Sequence, residues 1–272
     1  MYQNEHVIGE VLEEYIKAGK IKRSDVFLTT KLPFYAMEPA DADAMIPRQL
    51  AALRTDYVDL YLIHTPMAAK PKPGVAMIQK LDADSLIIND NIEHIDTWRV
   101  LENWHKKGAL KALGVSNFNA RQIESLYKLA DVKPANLQVS IYFYYQQVQY
   151  YYILRHKYLK LSHVGPLGSP GSAGRAGGVG ESVPLTDPLV LKLAKKHDKT
   201  PAQILLRNLL QRGIAIIPKS TNEKRLKENA SIFDFELSAD ELNALARIDK
   251  RVRLFPNSFA KSSRHYPFDD VK

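Results

Sequence analysis

Residues 25–64 hold two strand-like runs, Asp25-Val-Phe-Leu-Thr-Thr-Lys31 and Asp56-Tyr-Val-Asp-Leu-Tyr-Leu-Ile-His64. Both are dense in Val, Tyr, Phe, Ile and Thr, side chains that fill a pleated, half-buried surface. Between them lies an Ala- and Leu-rich segment over 38–54, beginning at Met37-Glu38-Pro39. Its composition favours helix. A strand, a helix and a second strand make a βαβ unit, and such units build parallel sheets.

Working outward, the same alternation continues. Residues 3–18 read as a helix that leads into the first run. Downstream, Ile95, Trp98, Leu101 and Trp104 recur at a spacing of three and predict an amphipathic helix over 94–107, ended by Gly108. Ala112-Leu-Gly-Val-Ser116 predicts a strand, 119–130 a helix, and 136–141 and 159–164 two more strands. Helices follow over 187–197 and 201–211, the second with Thr200 as N-cap and Pro201 at its first position. Gly213-Ile-Ala-Ile-Ile-Pro-Lys219 reads as a last short strand, with a helix from about 222. The strands predicted are therefore 26–31, 57–64, 112–116, 136–141, 159–164 and 214–218. A TIM barrel uses eight strands in about 250 residues. One α/β domain over 1–272 is expected, and six strands after a leading helix read either as a TIM barrel lacking its first two strands or as an open doubly wound sheet.

Composition narrows the class. The chain has 272 residues, 45% hydrophobic and 25% charged, near the globular average. No apolar run reaches the roughly 18 residues of a membrane helix, and the acidic first twenty residues do not read as a signal peptide. With no cysteine there is no disulfide or thiolate chemistry. A soluble, cytoplasmic, monomeric protein is expected, with no membrane or nucleic-acid partner and no metal. The charge of +8 taken alone would suit a phosphate-bearing ligand or nucleic acid, or carry no such meaning. Seven of the 13 glycines fall in 165–180 without forming GxGxxG after a strand, which weighs against a Rossmann site and reads as a loop. Seven of the 14 tyrosines fall in 139–158, a cluster with no assigned role.

In a βα barrel the chemistry sits at the C-terminal ends of the strands. Lys31 ends one strand and His64 the next, so both side chains can converge on one pocket. Tyr2 holds the matching position one unit earlier. A Lys cation beside a Tyr stabilises the phenolate, and such a Tyr exchanges protons with a carbonyl or alcohol oxygen. A neighbouring His can orient that oxygen. After the last strand, Lys219, Ser220 and Arg225 gather at a helix start, which favours anions. Ser116, Asn117 and Gln138 are strand-end polar groups able to hold an amide.

These residues together resemble the aldo-keto reductases, (β/α)8 barrels that reduce aldehydes and ketones with NADPH. The resemblance runs through Tyr2-Gln-Asn-Glu5, Phe27-Leu-Thr-Thr-Lys-Leu32, Asp56–His64, Gly114-Val-Ser-Asn-Phe118, Pro166-Leu-Gly-Ser169 and Ile217-Pro-Lys-Ser220. It implies an NADP(H)-dependent oxidoreductase acting on a small-molecule aldehyde or ketone. Tyr2 would be proton donor, Lys31 would tune it, and His64 would position the carbonyl. Ser116, Asn117 and Gln138 would bind the nicotinamide amide, and Leu167 and Ser169 would line the pyrophosphate. Lys219, Ser220 and Arg225 would hold the adenosine 2′-phosphate, with Glu228 and Asn229 beside the adenine. Two cations at 219 and 225 answer the extra phosphate of NADPH.

The chain departs from the family pattern in places. The family's first two strands and its catalytic Asp precede the Tyr motif, which here stands at Met1-Tyr2. Val164 aligns with a Tyr that stacks on the cofactor, Thr65 stands where many members have Trp, and 139–164 shows no family match. A catalytically impaired cofactor-binding or interaction protein, or an incomplete gene product, stay open beside the reductase reading.

Overall fold

The computed structural model describes residues 4–73, 86–139, 159–168, 184–248, 257 and 260–268. Tyr2, Ser169, most of the glycine-rich stretch and the tyrosine cluster over 142–158 lie outside them. The chain forms two compact units, Met1–Leu137 with Ala260–Lys272, and Gln138–Phe259.

The first unit alternates helix and strand: α1 (Glu5–Lys17), β1 (Thr29–Leu32), α2 (Pro39–Ala52), β2 (Leu60–Ile63), β3 (Ala69–Pro71), β4 (Leu86–Ile88), α3 (His94–Lys106), β5 (Leu113–Ser116) and α4 (Ala120–Leu129). Strand β6 (Asn136–Val139) follows, and the boundary between the units falls within it. β1 pairs with β2 in parallel, Lys31 opposite Leu62, and β2 pairs with β5 in parallel, Leu62 opposite Gly114. Each of these strands is about as predicted but shorter at its start. Leu32, Leu62, Ile63, Trp98, Leu101 and Leu110 are fully buried and form the core of this layer. β3 and β4 form an antiparallel ladder, Ala69 opposite Ile88, in a stretch to which the sequence pattern assigns no element.

Helix α3 shows where periodicity needs correction. Trp98 and Leu101 are buried, and the Trp98 indole donates to the Val132 carbonyl at 2.9 Å. Trp104 instead lies on the flank and donates to Asp43 of α2 at 2.7 Å. Successive residues turn about 100°, so two steps of three carry Trp104 about 120° away from Trp98. Thr97 and Glu102 complete the buried face that sequence spacing assigned to Trp104.

Helix α1 packs against the end of α2 at Gly9. A Cβ there would meet the Ala52 carbonyl oxygen at 2.3 Å and the Leu53 backbone at 2.7 Å, so only glycine allows this approach. The returning segment 260–268 docks on the same unit. Ser263 and Arg264 bond Asp90, Arg264 pairs with Glu93, and Gln122 donates to the His265 carbonyl at 2.8 Å.

The second unit contains β7 (Lys160–Val164), α5 (Pro188–His197), α6 (Pro201–Gln211), β8 (Ala215–Ile217), α7 (Glu223–Ala230) and α8 (Ala239–Ala246). β7 and β8 pair in parallel, Ser162 opposite Ala215. Val190, Leu193, Ile204, Leu205, Leu237 and Leu245 form its core, and Leu167 packs against it. Thr200 caps α6 as predicted, its hydroxyl accepting from Gln203 N at 3.3 Å while Gln203 Oε1 accepts from Thr200 N at 2.9 Å. Helix α8, opened by a Ser238–Glu241 capping box, is absent from the sequence expectation. Among the described residues no helix is long and apolar enough to cross a membrane, and no three His, Cys, Asp or Glu gather as metal ligands.

Candidate active site

Strand register places the site in the first unit. Alternate residues of a strand share a face. Lys31 is opposite Leu62 and Leu62 opposite Gly114, so these three share one face of the sheet. His64 lies two residues past Leu62 and Ser116 two past Gly114. The alternation carries both onto the face of Lys31, at the C-terminal ends of three neighbouring strands. His64 N donates to the Leu32 carbonyl at 3.2 Å, which keeps the β1 and β2 ends together. Gly114 makes room on this face, since a Cβ there would lie 2.6 Å from Leu62 Cδ2.

Burial sets the charge state of these groups. Burial lowers the Lys31 amine from its ordinary 10.5 to about 8. It lowers the His64 imidazole from 6.5 to about 3, and the Lys31 charge beside it acts in the same direction. His64 is therefore neutral at physiological pH and presents an N–H rather than a cation. Lys31 remains mostly protonated at pH 7 but close to its titration point.

Asn117 follows Ser116 in the left-handed region, φ 62°, a conformation Asn tolerates better than most residues. Its amide donates to the His64 carbonyl at 3.0 Å and to Ser116 Oγ at 3.2 Å. The structure so brings Lys31, His64, Ser116 and Asn117 together. Pro66, two residues beyond His64, has its carbonyl bonded by the His94 ring at 2.8 Å, and that ring packs on Phe118 and His265.

On the opposite face of β1 and β2 lies a polar group that sequence patterns did not reveal. Gln49 of α2 is buried; its Nε2 donates to Glu5 Oε1 at 2.9 Å and to the Lys31 carbonyl at 3.0 Å. Its Oε1 accepts from the Tyr61 hydroxyl, and Thr30 donates to the same Glu5 oxygen. Burial and the Glu5 charge push the Tyr61 hydroxyl well above its ordinary range. One buried polar residue on a helix carries no motif; only the pairing of β1 with β2 makes it visible.

The second unit holds the remaining sequence-predicted groups. Gln138 on β6 is fully buried, and its Nε2 donates to Ser162 Oγ at 3.2 Å. Its Oε1 has no hydrogen-bond partner among the described residues. An unsatisfied buried acceptor suits an amide N–H donor brought by a ligand. Asn222 caps α7 by accepting from Arg225 N at 3.0 Å, and Ser220 Oγ accepts from Asn222 N at 3.1 Å. Lys219 and Arg225 are exposed, and among the described residues neither side chain is in an ion pair. Two such cations beside a capped helix start can hold a phosphate. Glu228 is half-buried near Lys224 at 3.9 Å, and Asn229 is buried. Leu167 is engaged in core packing.

Comparison with known proteins gives these features a family. The Aldo/keto reductase family profile matches residues 1–250. Aldo-keto reductase family 1 member C18 of Rattus norvegicus is 36% identical over 274 residues, 99% of this chain and 83% of that protein. Member A1 of Bos taurus is 38% identical over 270 residues, 99% of this chain and 82% of its own length. Among solved structures, the aldose reductase of Schistosoma japonicum superposes with a TM-score of 0.88 at 35% identity, covering 100% of this chain and 84% of that one. A Bombyx mori aldo-keto reductase solved in complex with NADP superposes with a TM-score of 0.85 at 31% identity, covering 98% and 81%. The TIM-barrel class, one of two that the strand alternation left open and the one that the family resemblance implies, is the class of these neighbours. On sequence and on fold alike, this oxidoreductase chain belongs to the aldo/keto reductase family.

Proposed function

We propose that the chain reduces a small-molecule aldehyde or ketone to the alcohol with NADPH. The observation that carries this is the pair Lys31 and His64, set on one face at adjacent strand ends and each biased toward its neutral form by burial. His64, neutral at working pH, donates a hydrogen bond to the carbonyl oxygen without giving up a proton. Lys31, still largely an ammonium at pH 7, stabilises the Tyr2 phenolate and so eases proton transfer from Tyr2 to that oxygen. Asn117, bonded to the His64 carbonyl, restrains the backbone that carries the imidazole.

The donor set fits a nicotinamide dinucleotide, which would supply the hydride when bound. Gln138 Oε1 is a buried acceptor for the carboxamide N–H, with Ser116 and Asn117 as further amide partners. Leu167 and Ser169 are assigned to the pyrophosphate. Lys219, Ser220 and Arg225 are assigned to the 2′-phosphate, and Glu228 and Asn229 to the adenine side. The exposed cations at 219 and 225 support NADPH over NADH.

The test is titration of the purified chain with NADPH by fluorescence, followed by an assay of aromatic aldehyde reduction. NADPH binding tighter than NADH, with aldehyde-dependent oxidation, is expected. Tyr2→Phe should abolish turnover while leaving NADPH binding intact. A chain that binds no NADPH, or a Tyr2→Phe protein that still turns over, refutes the reading.

A further inference from the structure

We propose that Gln49 is a positioning residue for the catalytic group, tying its three segments together from the far side of the sheet. This rests on the reductase reading for the roles of Tyr2, Lys31 and His64, and goes beyond it in naming what holds them in register. Gln49 comes from α2 and meets β1 and β2 on the face opposite the Lys31 and His64 side chains. It bonds to one point on each of the three segments. Its Nε2 donates to the backbone carbonyl of Lys31 itself at 3.0 Å. The same nitrogen donates at 2.9 Å to Glu5, in the first turn of α1 and three residues after Tyr2 in sequence. Its Oε1 accepts from the hydroxyl of Tyr61, on β2 and three residues before His64.

The amide is filled by this arrangement. A glutamine Nε2 has two hydrogens, and the two shortest contacts take both; Thr30 Oγ1, at 3.4 Å, is left to donate to Glu5. No isosteric side chain offers two donors and an acceptor in this geometry. Met fills the volume but offers no donor to the Lys31 carbonyl or Glu5 and no acceptor to the Tyr61 hydroxyl. Glu sets a second carboxylate against Glu5. Gln49 and Tyr61 are buried and the Glu5 and Lys31 contacts half-buried, so water does not fully replace a lost bond, and the segments are freed to shift relative to one another. A displacement of about 1 Å at a catalytic group can slow turnover about a hundred-fold.

The experiment compares Gln49→Met and Tyr61→Phe with Glu102→Gln, a variant of a buried bond elsewhere in the same unit that serves as the stability control. Two readouts are taken on the full chain. The first is the Lys31 amine, titrated by NMR on protein carrying 13C at the lysine ε-carbon, which needs no turnover. Wild type is expected to titrate near 8, and both hub variants to move upward as the strand end loosens and admits water. The second is the split between kcat and KM for aldehyde reduction. Gln49→Met is expected to lower kcat about tenfold or more with KM for NADPH within about twofold, and to shift the basic limb of the pH profile. Glu102→Gln should leave the Lys31 titration and the pH profile unchanged even at an equal loss of melting temperature.

If both hub variants keep the wild-type Lys31 titration, the proposal is overturned, whatever their activity. Tyr61→Phe loses only one bond and so decides the matter if Gln49→Met does not fold. Should wild type bind no NADPH and reduce no aldehyde, the reductase reading falls while the titration still decides the positioning role.

Discussion

Lys31 trades stability for a low proton affinity. Its folded pKa of about 8 lies below the ordinary 10.5, so between those values the unfolded chain holds more proton than the folded one. Stability therefore rises as the pH climbs from about 8 to 10.5, and the destabilisation is fully present at neutral pH. Lys31→Met removes the buried charge and keeps the stem. It is expected to raise the melting temperature at pH 7 while lowering turnover roughly a hundred-fold or more, the scale of a lost proton-transfer contribution. Thermal melts and steady-state kinetics on the same preparation check both. A Met variant that melts lower than wild type would show that the Lys31 environment favours the charge. Lys31 and His64 were legible because each ends a strand whose composition announces it. Gln49 was not, since its partners Glu5, Lys31 and Tyr61 are distant in sequence and meet only once β1 and β2 pair.

At the scale of elements, the α1–α2 contact turns on one missing side chain. Gly9 faces α2 backbone rather than a flexible side chain, so the helices must separate to admit a methyl group. Gly9→Ala is expected to destabilise the chain by about 1–3 kcal/mol, as overpacking does, despite the better helix propensity of alanine. Urea denaturation reads this directly, and an unchanged or raised midpoint would refute the close approach. The helices and parallel strands were largely legible because each carries its own period and, in places, its own end signals, as Thr200 and Gly108 do. The β3–β4 ladder was not. Ala69-Lys-Pro71 is short, contains a proline and has no β-branched residue, so its pairing is decided by its neighbour rather than by its own composition. Trp104 shows the complementary error, in which an apolar residue at an acceptable spacing turns to the flank because another helix offers it a carboxylate.

At the scale of the whole molecule, the chain returns to the first unit after completing the second. Asp90 accepts from Ser263 Oγ, from Arg264 N at 3.1 Å, and its carbonyl accepts from Arg264 Nε at 2.8 Å. Asp90→Ala is expected to release the segment, read as faster tryptic cleavage after Lys261 and Arg264 with little change in overall melting. Acid should act likewise. The His94 ring, buried to a pKa of about 4, packs against His265, which burial and Arg264 also hold below the ordinary range, with Glu93 and Asp90 opposing that effect. His94 is neutral when docked and His265 is displaced in the same direction, so the contact is at full strength above about 6.5 and weakens as the pH falls toward the His94 value of about 4. Cleavage that is no faster in Asp90→Ala, or no faster in acid, would show the segment held by other means. None of this was legible locally, because Asp90 and Arg264 lie 174 residues apart.

That separation also fixes an order in time. A ribosome delivers Asp90 and the His94 ring long before Ser263, Arg264 and His265 exist. The first unit can collapse early around β1, β2 and β5, yet it cannot close until all of 138–259 has been synthesised. The nascent chain therefore spends much of its elongation with the 90–94 and 119–122 surfaces uncovered, and a segment made late completes a part made early.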